Sequence, residues 1–416
     1  MSEALVDAEI VVIGAGAAGL AAAHHLRAGG RSVLILEARD RIGGRAHTLM
    51  TAPGFPVDLG CGWLHSANRN PWVGIARTLG FTIDETPPGW GDRLLRAGYS
   101  VEDQADWHRT IGEFYERLDQ SADGPDRPAD TLLEPGNRWN TLINMISTRA
   151  NGVELDRLSA HDYQRYEDTE INWRVTECYG ALVTRFGADL PVRLETPALV
   201  IDWSGRVVAV ETPRGTVRAR AAVLTMPTTV IAADAIAFNP KLPAQKQAAA
   251  HGLPLGIDNK FWFHLAGDWP DLGSNWHIAG AINRMRTGSY QLRPHGRPLV
   301  EMYLGGDHAL ELERAGLAAT AAFGIDELAR LFGSRIRSCL TPLAGSAWTT
   351  DPYARGSYSY AKPGHADDRA IWAAPLAERL FFAGEATSPN FFSTTHGAYL
   401  SGLRAAEEAI AALESR

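Results

Sequence analysis

Residues 9–19 read EIVVIGAGAAG, and they are followed by LAAAHHLRAGG and then by SVLILEA, which ends at residue 38. The first stretch predicts a short buried strand that runs straight into the spacing Gly14-x-Gly16-x-x-Gly19. The second stretch is helical and stops at two glycines, and the third is again a buried strand. Together they predict a βαβ unit at the start of an α/β domain with a parallel sheet.

Each glycine of this turn has a physical purpose. Gly14 permits the tight turn, Gly16 lets the backbone approach a pyrophosphate, and Gly19 lets the helix pack closely on the strand. Ala17 and Ala18 begin the helix, whose free N–H groups and positive dipole end attract phosphate. The pattern is typical of a Rossmann-type dinucleotide site.

An acidic residue at the end of the second strand narrows the choice of nucleotide. Glu37 follows the turn at the customary spacing of roughly 20 residues, and Ala38 and Arg39 adjoin it. Its carboxylate can accept hydrogen bonds from a ribose 2′-hydroxyl, which argues against a 2′-phosphate. Glycine turn and acid together predict a bound dinucleotide without separating NAD from FAD.

The next residues, EARDRIGGRAHT at 37–48, favour FAD over NAD. Gly43 and Gly44 allow backbone contact with a ligand, while Arg41 and Arg45 have guanidinium groups that can donate paired hydrogen bonds to phosphate. Here the chain resembles the flavin-containing amine oxidases, which include monoamine, polyamine and spermine oxidases, lysine-specific histone demethylases and L-amino-acid oxidases. The resemblance implies that this stretch lies along the pyrophosphate and flavin of FAD.

The resemblance continues in RLFFAGEATSPNFFSTTHGAYLSGLRAAEEAI at 379–410. It implies that Gly384 and Glu385 meet the ribityl chain and pyrophosphate, and that a helix beginning near Thr395 and Ala398 faces the flavin ring. A helix N-terminus there would stabilise negative charge on reduced flavin. The sequence of this stretch resembles the polyamine oxidase and demethylase branch more closely than the monoamine oxidases.

Three residues are expected on the catalytic side. The resemblance implies that Lys260, in PLGIDNKFWF, holds a water near the flavin, that Tyr358, in GSYSY, stands on the substrate side, and that His65, in VDLGCGWLHSANRNPW, lines the substrate channel. From the residues alone, a snorkelling lysine, an ordinary sheet tyrosine and a structural histidine remain alternatives. We interpret Tyr360 as structural and His396 as close to the flavin but not catalytic.

Two departures from the monoamine oxidases bear on cofactor and substrate. Ser357 stands where those enzymes carry the flavin-linked cysteine, so non-covalent FAD is predicted. A position near Thr394 lacks the second tyrosine of their aromatic cage, which argues against a close copy of their specificity. The resemblance completes the cofactor-binding set with Gly60, Cys61, Gly62, Trp63, Ala198, Met226, Pro227, Trp348, Tyr353 and Thr394.

The expected fold class is α/β, a Rossmann-type FAD-binding domain with an interleaved α+β substrate domain. Strands are predicted within 192–225, 256–265 and 298–304, and residues 309–333 are predicted to be helical. The predicted FAD-binding domain comprises 1–84, 188–250 and 345–416, and the substrate-binding domain comprises 85–187 and 251–344.

The resemblance implies oxidation of a primary or secondary amine, polyamine-like or arylalkyl, to an imine that hydrolyses to an aldehyde while O2 becomes H2O2. Asp168 and Glu170 could attract the distal ammonium of a diamine, or form only a solvated turn. An L-amino-acid oxidase or flavin dehydrogenase is one alternative, since Arg93, Arg284 or Arg293 could meet a substrate carboxylate. A non-catalytic flavin-binding interaction protein is another.

Composition excludes other classes. The net charge of −8 gives no basic footprint for nucleic acid, and three dispersed cysteines form neither a disulfide framework nor a CxxC metal site. No apolar run reaches the roughly 18 residues of a membrane span. No metal is expected, the predicted location is cytoplasmic, and a homodimer is one assembly that the sequence allows.

Overall fold

The structure is a computed structural model that describes residues 6–90, 98–267 and 273–415. The strands are β1 (Ala8–Ile13), β2 (Val33–Leu36), β3 (Thr48–Met50), β4 (Pro56–Asp58), β5 (Ile83–Asp84), β6 (Arg174–Val175), β7 (Val192–Arg193), β8 (Val200–Asp202), β9 (Val208–Thr212), β10 (Gly215–Leu224), β11 (Ala237–Asn239), β12 (Asp258–Leu265), β13 (Trp276–Ala279), β14 (Ser289–Leu292), β15 (Leu299–Gly305), β16 (Leu340–Gly345) and β17 (Leu380–Phe382). The α-helices are α1 (Ala17–Ala28), α2 (Pro71–Thr78), α3 (Val101–Gln120), α4 (Asn140–Ala150), α5 (Ala160–Arg165), α6 (Tyr179–Phe186), α7 (Thr228–Ala232), α8 (Ala244–Gly252), α9 (Gly306–Ala315), α10 (Leu317–Phe332), α11 (Asp368–Ala373) and α12 (Thr395–Glu414).

The larger sheet confirms the predicted βαβ unit. Its strand order is β11-β8-β9-β10-β1-β2-β7, and β17 also pairs with β10. Strand β1 runs parallel to β2 on one side and to β10 on the other, and β17 is parallel to β10. Because parallel strands end at one edge of a sheet, the segments that follow β1, β2, β10 and β17 come together there.

The first and last described helices pack against each other over this sheet. A Cβ atom on Gly402 of α12 would lie 2.2 Å from the carbonyl oxygen of Ala18 in α1, so the two backbones are in contact. Buried alanines on both helices, including Ala405, Ala406 and Ala409, join one apolar core. The side chain of Thr394 accepts a hydrogen bond from the Gly397 N–H at 2.9 Å and so caps the start of α12.

The smaller sheet is antiparallel, in the order β13-β14-β15-β12-β16. Side chains of β12 alternate between its two faces. Phe261 and Phe263 belong to the apolar core beneath α10. Trp262 points the other way and donates its indole N–H to the Asp58 carbonyl in β4 at 2.9 Å, so Lys260 on the same face is also directed away from that core.

The predicted helical stretch at 309–333 is helical but not continuous. It divides into α9 and α10 at Gly316, which has φ +91° and donates its N–H back to the carbonyls of Leu312 and Glu313. The positive φ ends the first helix in the way glycine commonly does. Within the described ranges, none of the helices combines the length and apolarity needed to cross a membrane.

Strands of the larger sheet come from residues 8–36, 192–239 and 380–382, and those of the smaller sheet from 258–305 and 340–345. The chain therefore leaves the first sheet, builds the second and returns. The domain boundaries given above stay a prediction.

Replacing Gly402 by alanine tests the contact between α1 and α12. The added methyl group would overlap the Ala18 carbonyl, so the free energy of unfolding should fall by roughly 1–3 kcal/mol. Gly74, exposed in α2, is a matched control because its Cβ would meet no heavy atom of the described residues within 4 Å. Gly74→Ala should stabilise by up to about 1 kcal/mol in urea unfolding. Equal effects at the two positions would contradict the packing described here.

Candidate active site

One cavity of about 670 Å³ opens at the carboxyl edge of the larger sheet and extends to β12 of the smaller sheet. The predicted cofactor-binding residues that line it are Gly14, Gly16, Ala17, Ala18, Glu37, Ala38, Arg39, Gly43, Gly44, Arg45, Gly60, Cys61, Gly62, Trp63, Ala198, Met226, Pro227, Trp348, Tyr353, Gly384, Glu385, Thr394, Thr395 and Ala398. The three predicted catalytic residues Lys260, Tyr358 and His65 line the same cavity. Gly19 does not, because it lies under the turn.

The glycine turn has the geometry expected at a phosphate site. Gly14 has φ +102°, and a Cβ there would lie 2.4 Å from the Thr225 hydroxyl oxygen. A Cβ on Gly19 would lie 1.9 Å from the Gly14 carbonyl oxygen, so helix and turn are in contact. A Cβ on Gly16 would meet no heavy atom of the described residues within 4 Å, which leaves its backbone open to a ligand.

Glu37 is fixed at the nucleotide end of the cavity. It is 3% exposed; one carboxylate oxygen accepts the Ala15 N–H at 2.7 Å, and the other accepts the Arg39 N–H at 2.9 Å. The Arg39 guanidinium donates to Asp351 at 2.7 Å, and its Nη1 lies 3.7 Å from a Glu37 carboxylate oxygen. The carboxylate therefore has a fixed direction and free acceptor capacity for a ribose hydroxyl.

The second glycine turn lies directly on the first. The Gly43 N–H donates to the Ala15 carbonyl at 2.8 Å, and a Cβ on Gly44 would lie 3.2 Å from the Gly16 α-carbon. Arg41, expected to face phosphate, does not line the cavity, because its guanidinium donates to the Gly44 carbonyl at 2.8 Å. It holds the turn together instead.

Arg45 crosses the middle of the cavity to the C-terminal segment. Its guanidinium lies 3.0 Å from a carboxylate oxygen of Glu385 and also donates to the Ser357 carbonyl. Burial raises the pKa of Glu385, but Arg45 and hydrogen bonds from Ser359 and Ser393 outweigh it and hold the pKa below its ordinary value. The cavity thus combines two glycine turns, the N-terminus of α1, the buried acid Glu37 and the central Arg45. Together these groups fit a flavin dinucleotide.

Lys260 belongs to a buried charge cluster of three residues, Lys260, Glu301 and Arg174. The Lys260 ammonium lies 2.8 Å from one Glu301 carboxylate oxygen, and the Arg174 guanidinium donates to the other at 2.7 Å. Burial raises the pKa of Glu301, but the two cations outweigh it and bring the pKa to about 2. A Cβ on Gly62 would lie 2.7 Å from the lysine nitrogen, so this glycine makes room for the ammonium.

Ser357 is engaged by the backbone of β12. Its hydroxyl accepts the Asp258 N–H at 2.6 Å and donates to the Asp258 carbonyl at 2.7 Å. Tyr358, the next residue, brings its hydroxyl to 3.3 Å from that of Tyr303 on β15. Tyr360 is 9% exposed and packs in an apolar core, where a structural role was expected.

His65 is held in one ring orientation. Its Nδ1 lies 2.6 Å from the Asn172 side-chain oxygen, so Nδ1 carries the hydrogen and Nε2 is the acceptor. Burial lowers the pKa of His65, although Asp168 and Asn172 oppose the shift. His396 is buried, does not line the cavity and has a pKa lowered by burial to about 3.

The remaining predicted residues have mixed surroundings. Burial and Asp58 raise the pKa of the Cys61 thiol to about 12, so it stays protonated. Trp348 donates its indole N–H to the Leu59 carbonyl at 3.2 Å. Tyr353 is 38% exposed, at the outer end beneath the Arg39 guanidinium. Thr394 lines the cavity while capping α12.

Sequence reasoning missed several residues of the inner cavity, namely Arg149, Asp258, Glu301 and Tyr303, together with Asn172 behind His65. A signal existed for Glu301 and Asp258, because each is an acid within a strand that is otherwise buried. Arg149 had none, because it lies in the last turn of an ordinary amphipathic helix.

Comparison with known sequences decides the family. The profile of the family described as "Flavin containing amine oxidoreductase" matches residues 17–106 and 115–410. The chain belongs to this family. This amine oxidase is therefore a flavin-dependent enzyme that uses FAD and acts on small-molecule amines.

Among its relatives, Polyamine oxidase 2 of Arabidopsis thaliana is 30% identical over 96% of this chain and 87% of its own length. Lysine-specific histone demethylase 2 of Homo sapiens is 27% identical over 96% of this chain and 53% of its own length. Wild-type putrescine oxidase bound to putrescine superimposes with a TM-score of 0.81 at 17% identity, covering 97% of this chain and 99% of that one. Cyclohexylamine oxidase of Brevibacterium oxydans gives 0.79 at 21% identity, covering 98% and 100%. These structures confirm the fold class.

Glu301→Gln tests the charge cluster. Removing the carboxylate leaves two buried cations facing each other, so at pH 7 the free energy of unfolding should fall by roughly 3–5 kcal/mol. The Glu301 pKa is depressed, so its contribution in the parent enzyme is full above about pH 4.5 and is lost as the pH falls toward 2. The variant should therefore lose stability less steeply in acid.

Glu85→Gln is the control, because Glu85 pairs with Arg77 on the surface and both side chains are at least half exposed. Its effect should stay below about 1 kcal/mol. Chemical unfolding at several pH values gives both quantities. A Glu301→Gln variant as stable as the control, with an unchanged acid slope, would show that the cluster does not stabilise the fold.

Proposed function

We propose that this oxidase converts a primary or secondary amine, polyamine-like or arylalkyl, to an imine that hydrolyses to an aldehyde, with O2 reduced to H2O2. The observation that carries the substrate class is a carboxylate, Asp168, on the wall of the cavity that also contains Lys260 and Tyr358. A carboxylate at a distance from the reacting carbon suits a second ammonium group, which a diamine or polyamine has.

Asp168 is presented by a local turn. Its Oδ1 accepts the Ser66 hydroxyl at 3.2 Å and the Glu170 N–H at 2.8 Å. Among the described residues, no cationic side chain lies within 4 Å of it, so its charge is available to a substrate. Tyr163, Tyr166 and Trp90 line the same cavity, and aromatic faces attract alkylammonium groups.

FAD held along Gly14, Gly16, Glu37 and Arg45 would supply the acceptor for the hydride equivalent that leaves the α-carbon of the amine. The protein's residues prepare the amine for this step. Burial lowers the pKa of His65 and so favours its neutral form, whose Nε2 can accept a hydrogen bond or proton from a substrate nitrogen. Tyr358 limits the positions that the amine can take, and the apolar walls exclude water.

The comparisons support a polyamine-like substrate. Two relatives at 30% identity carry the name polyamine oxidase, and a similar structure holds putrescine. Both observations concern other proteins, so the substrate of this chain rests on Asp168 and on the experiment below.

An L-amino-acid oxidase is the second candidate, favoured by Arg149, which lines the inner cavity. Its guanidinium donates to the Thr287 carbonyl at 3.4 Å and could also meet a substrate carboxylate. The arginines singled out from sequence do not support this candidate: Arg284 pairs with Glu327 at 3.1 Å, Arg293 does not line the cavity, and Arg93 lies outside the described residues.

Amine turnover and the Asp168→Asn variant test the proposal together. Putrescine, spermidine and spermine should bleach the flavin anaerobically and release peroxide in air, more efficiently than amino acids do. Losing the distal ion pair should raise KM for putrescine about fivefold, corresponding to about 1 kcal/mol, and leave KM for benzylamine unchanged. Glu170→Gln is the matched control, since Glu170 does not line the cavity. Faster turnover of amino acids than of the amines formed by their decarboxylation would favour an L-amino-acid oxidase instead.

The Ser357 environment leads us to predict non-covalent FAD. A serine cannot form the thioether, and its hydroxyl forms hydrogen bonds with both the N–H and the carbonyl of Asp258 in β12. Precipitation of the purified holoenzyme in acid should leave a colourless pellet and all of the flavin in the supernatant. Yellow colour retained in the washed, unfolded pellet would contradict the prediction.

A further inference from the structure

Three oxygen atoms surround the hydroxyl group of Tyr358. The carbonyl oxygen of Arg149 lies at 2.7 Å, the Tyr303 hydroxyl at 3.3 Å, and a carboxyl oxygen of Asp258 is also within hydrogen-bond distance. Arg149 is in the last turn of α4, where carbonyl groups lack partners within the helix. This carbonyl therefore needs a donor from outside α4, and Tyr358 supplies one.

The number of hydrogen atoms limits what Asp258 can be. Tyr358 has one hydroxyl hydrogen, and a carbonyl can only accept. If that hydrogen goes to Arg149, the contact between Tyr358 and Asp258 is a hydrogen bond only when the carboxyl group supplies the hydrogen. With an ionised Asp258, two acceptors would compete for one hydrogen, and one contact would bring two oxygen atoms together with none between them.

The surroundings of Asp258 favour its protonated form. The side chain is buried, and burial raises its pKa well above the ordinary value, although the hydrogen bond with Tyr358 and the charges of Arg149 and Lys260 oppose the shift. Arg149 faces it from α4, Tyr303 from β15, and Lys260 from β12 itself. Lys260 forms its ion pair with Glu301, at 2.8 Å, rather than with Asp258.

We propose that Asp258 is a positioning residue for Tyr358 and that it works as a neutral acid. Its O–H donates to the Tyr358 oxygen, and Tyr358 in turn donates to the Arg149 carbonyl, which fixes the tyrosine ring on the wall of the cavity. This inference rests on the proposed function for one point, the place of Tyr358 beside the substrate. Ionisation of Asp258 at alkaline pH then releases the ring and lowers kcat/KM.

Asp258→Asn is the informative variant, because its amide N–H can donate to Tyr358 as the neutral acid does. It should keep kcat/KM for the best amine within a few fold and lose the alkaline decline that Asp258 causes. Asp258→Ala removes the donor and should lower kcat/KM about tenfold, the scale of one hydrogen bond. An asparagine variant as impaired as the alanine variant, or one that keeps the parent's alkaline decline, would overturn the proposal.

Infrared spectroscopy tests the protonation state without turnover. The parent-minus-Asp258→Asn difference spectrum of the holoenzyme at neutral pH should contain a protonated carboxyl C=O band that disappears at alkaline pH. Absence of that band at neutral pH refutes the neutral acid even if no amine is oxidised, so failure of this inference and failure of the proposed function are distinguishable.

Unfolding as a function of pH gives a third measurement. A group whose folded-state pKa is raised stabilises the fold fully at pH values below its unfolded pKa and loses that contribution as the pH rises through the folded value. The Asp258→Asn variant should therefore gain stability relative to the parent as the pH rises from 4 upward. A difference that is independent of pH would contradict a raised pKa.

Discussion

The close approach of two glycine turns, with Gly44 resting on the α-carbon of Gly16, is the constraint on which the rest of the structure depends. Side chains at these positions would separate the turns and fill the space along which a dinucleotide can lie. The turns follow β1 and β2, neighbouring parallel strands of one sheet, and the hydrogen bond from the Gly43 N–H to the Ala15 carbonyl holds them together. The sheet thus determines where the nucleotide part of the cofactor can go, and the smaller sheet supplies the groups at the other end.

Several of the buried charged groups that the structure describes are joined in ion pairs. Arg45 meets Glu385, Lys260 meets Glu301, and Arg369 meets Asp162 through two contacts of 2.6 and 2.7 Å. Burial of a lone ion is so unfavourable that each cation needs a partner in a fixed direction. Asp168 differs, since it faces the cavity with hydrogen-bond donors but without a described cation. A carboxylate paired with a buried cation stabilises the fold, whereas a carboxylate that faces the cavity without such a partner can bind a ligand.

Much of the nucleotide site was predictable, because local rules dictate it. The glycine spacing, the strand before it and Glu37 after it are read from about 30 consecutive residues. The inner cavity could not be predicted in this way, because its charge cluster brings together Arg174, Lys260 and Glu301 from three separate strands. Lys260, Tyr358 and His65 were reached through a family resemblance, whereas Asn172 and Arg149 became visible only when distant segments were placed together. The break at Gly316 within a predicted helical stretch shows the same limit on a smaller scale.

The packing of α1 against α12 has a consequence for biosynthesis. Strand β1 has its neighbours β2 and β10 well before the end of the chain, but the alanine face of α1 has no cover until α12 has left the ribosome. Domains usually fold as units during synthesis, in order from the N-terminus. In this protein the alanine face of α1 is completed only when residues 395–414 are available to pack on it, so this apolar surface stays uncovered while the intervening chain is made.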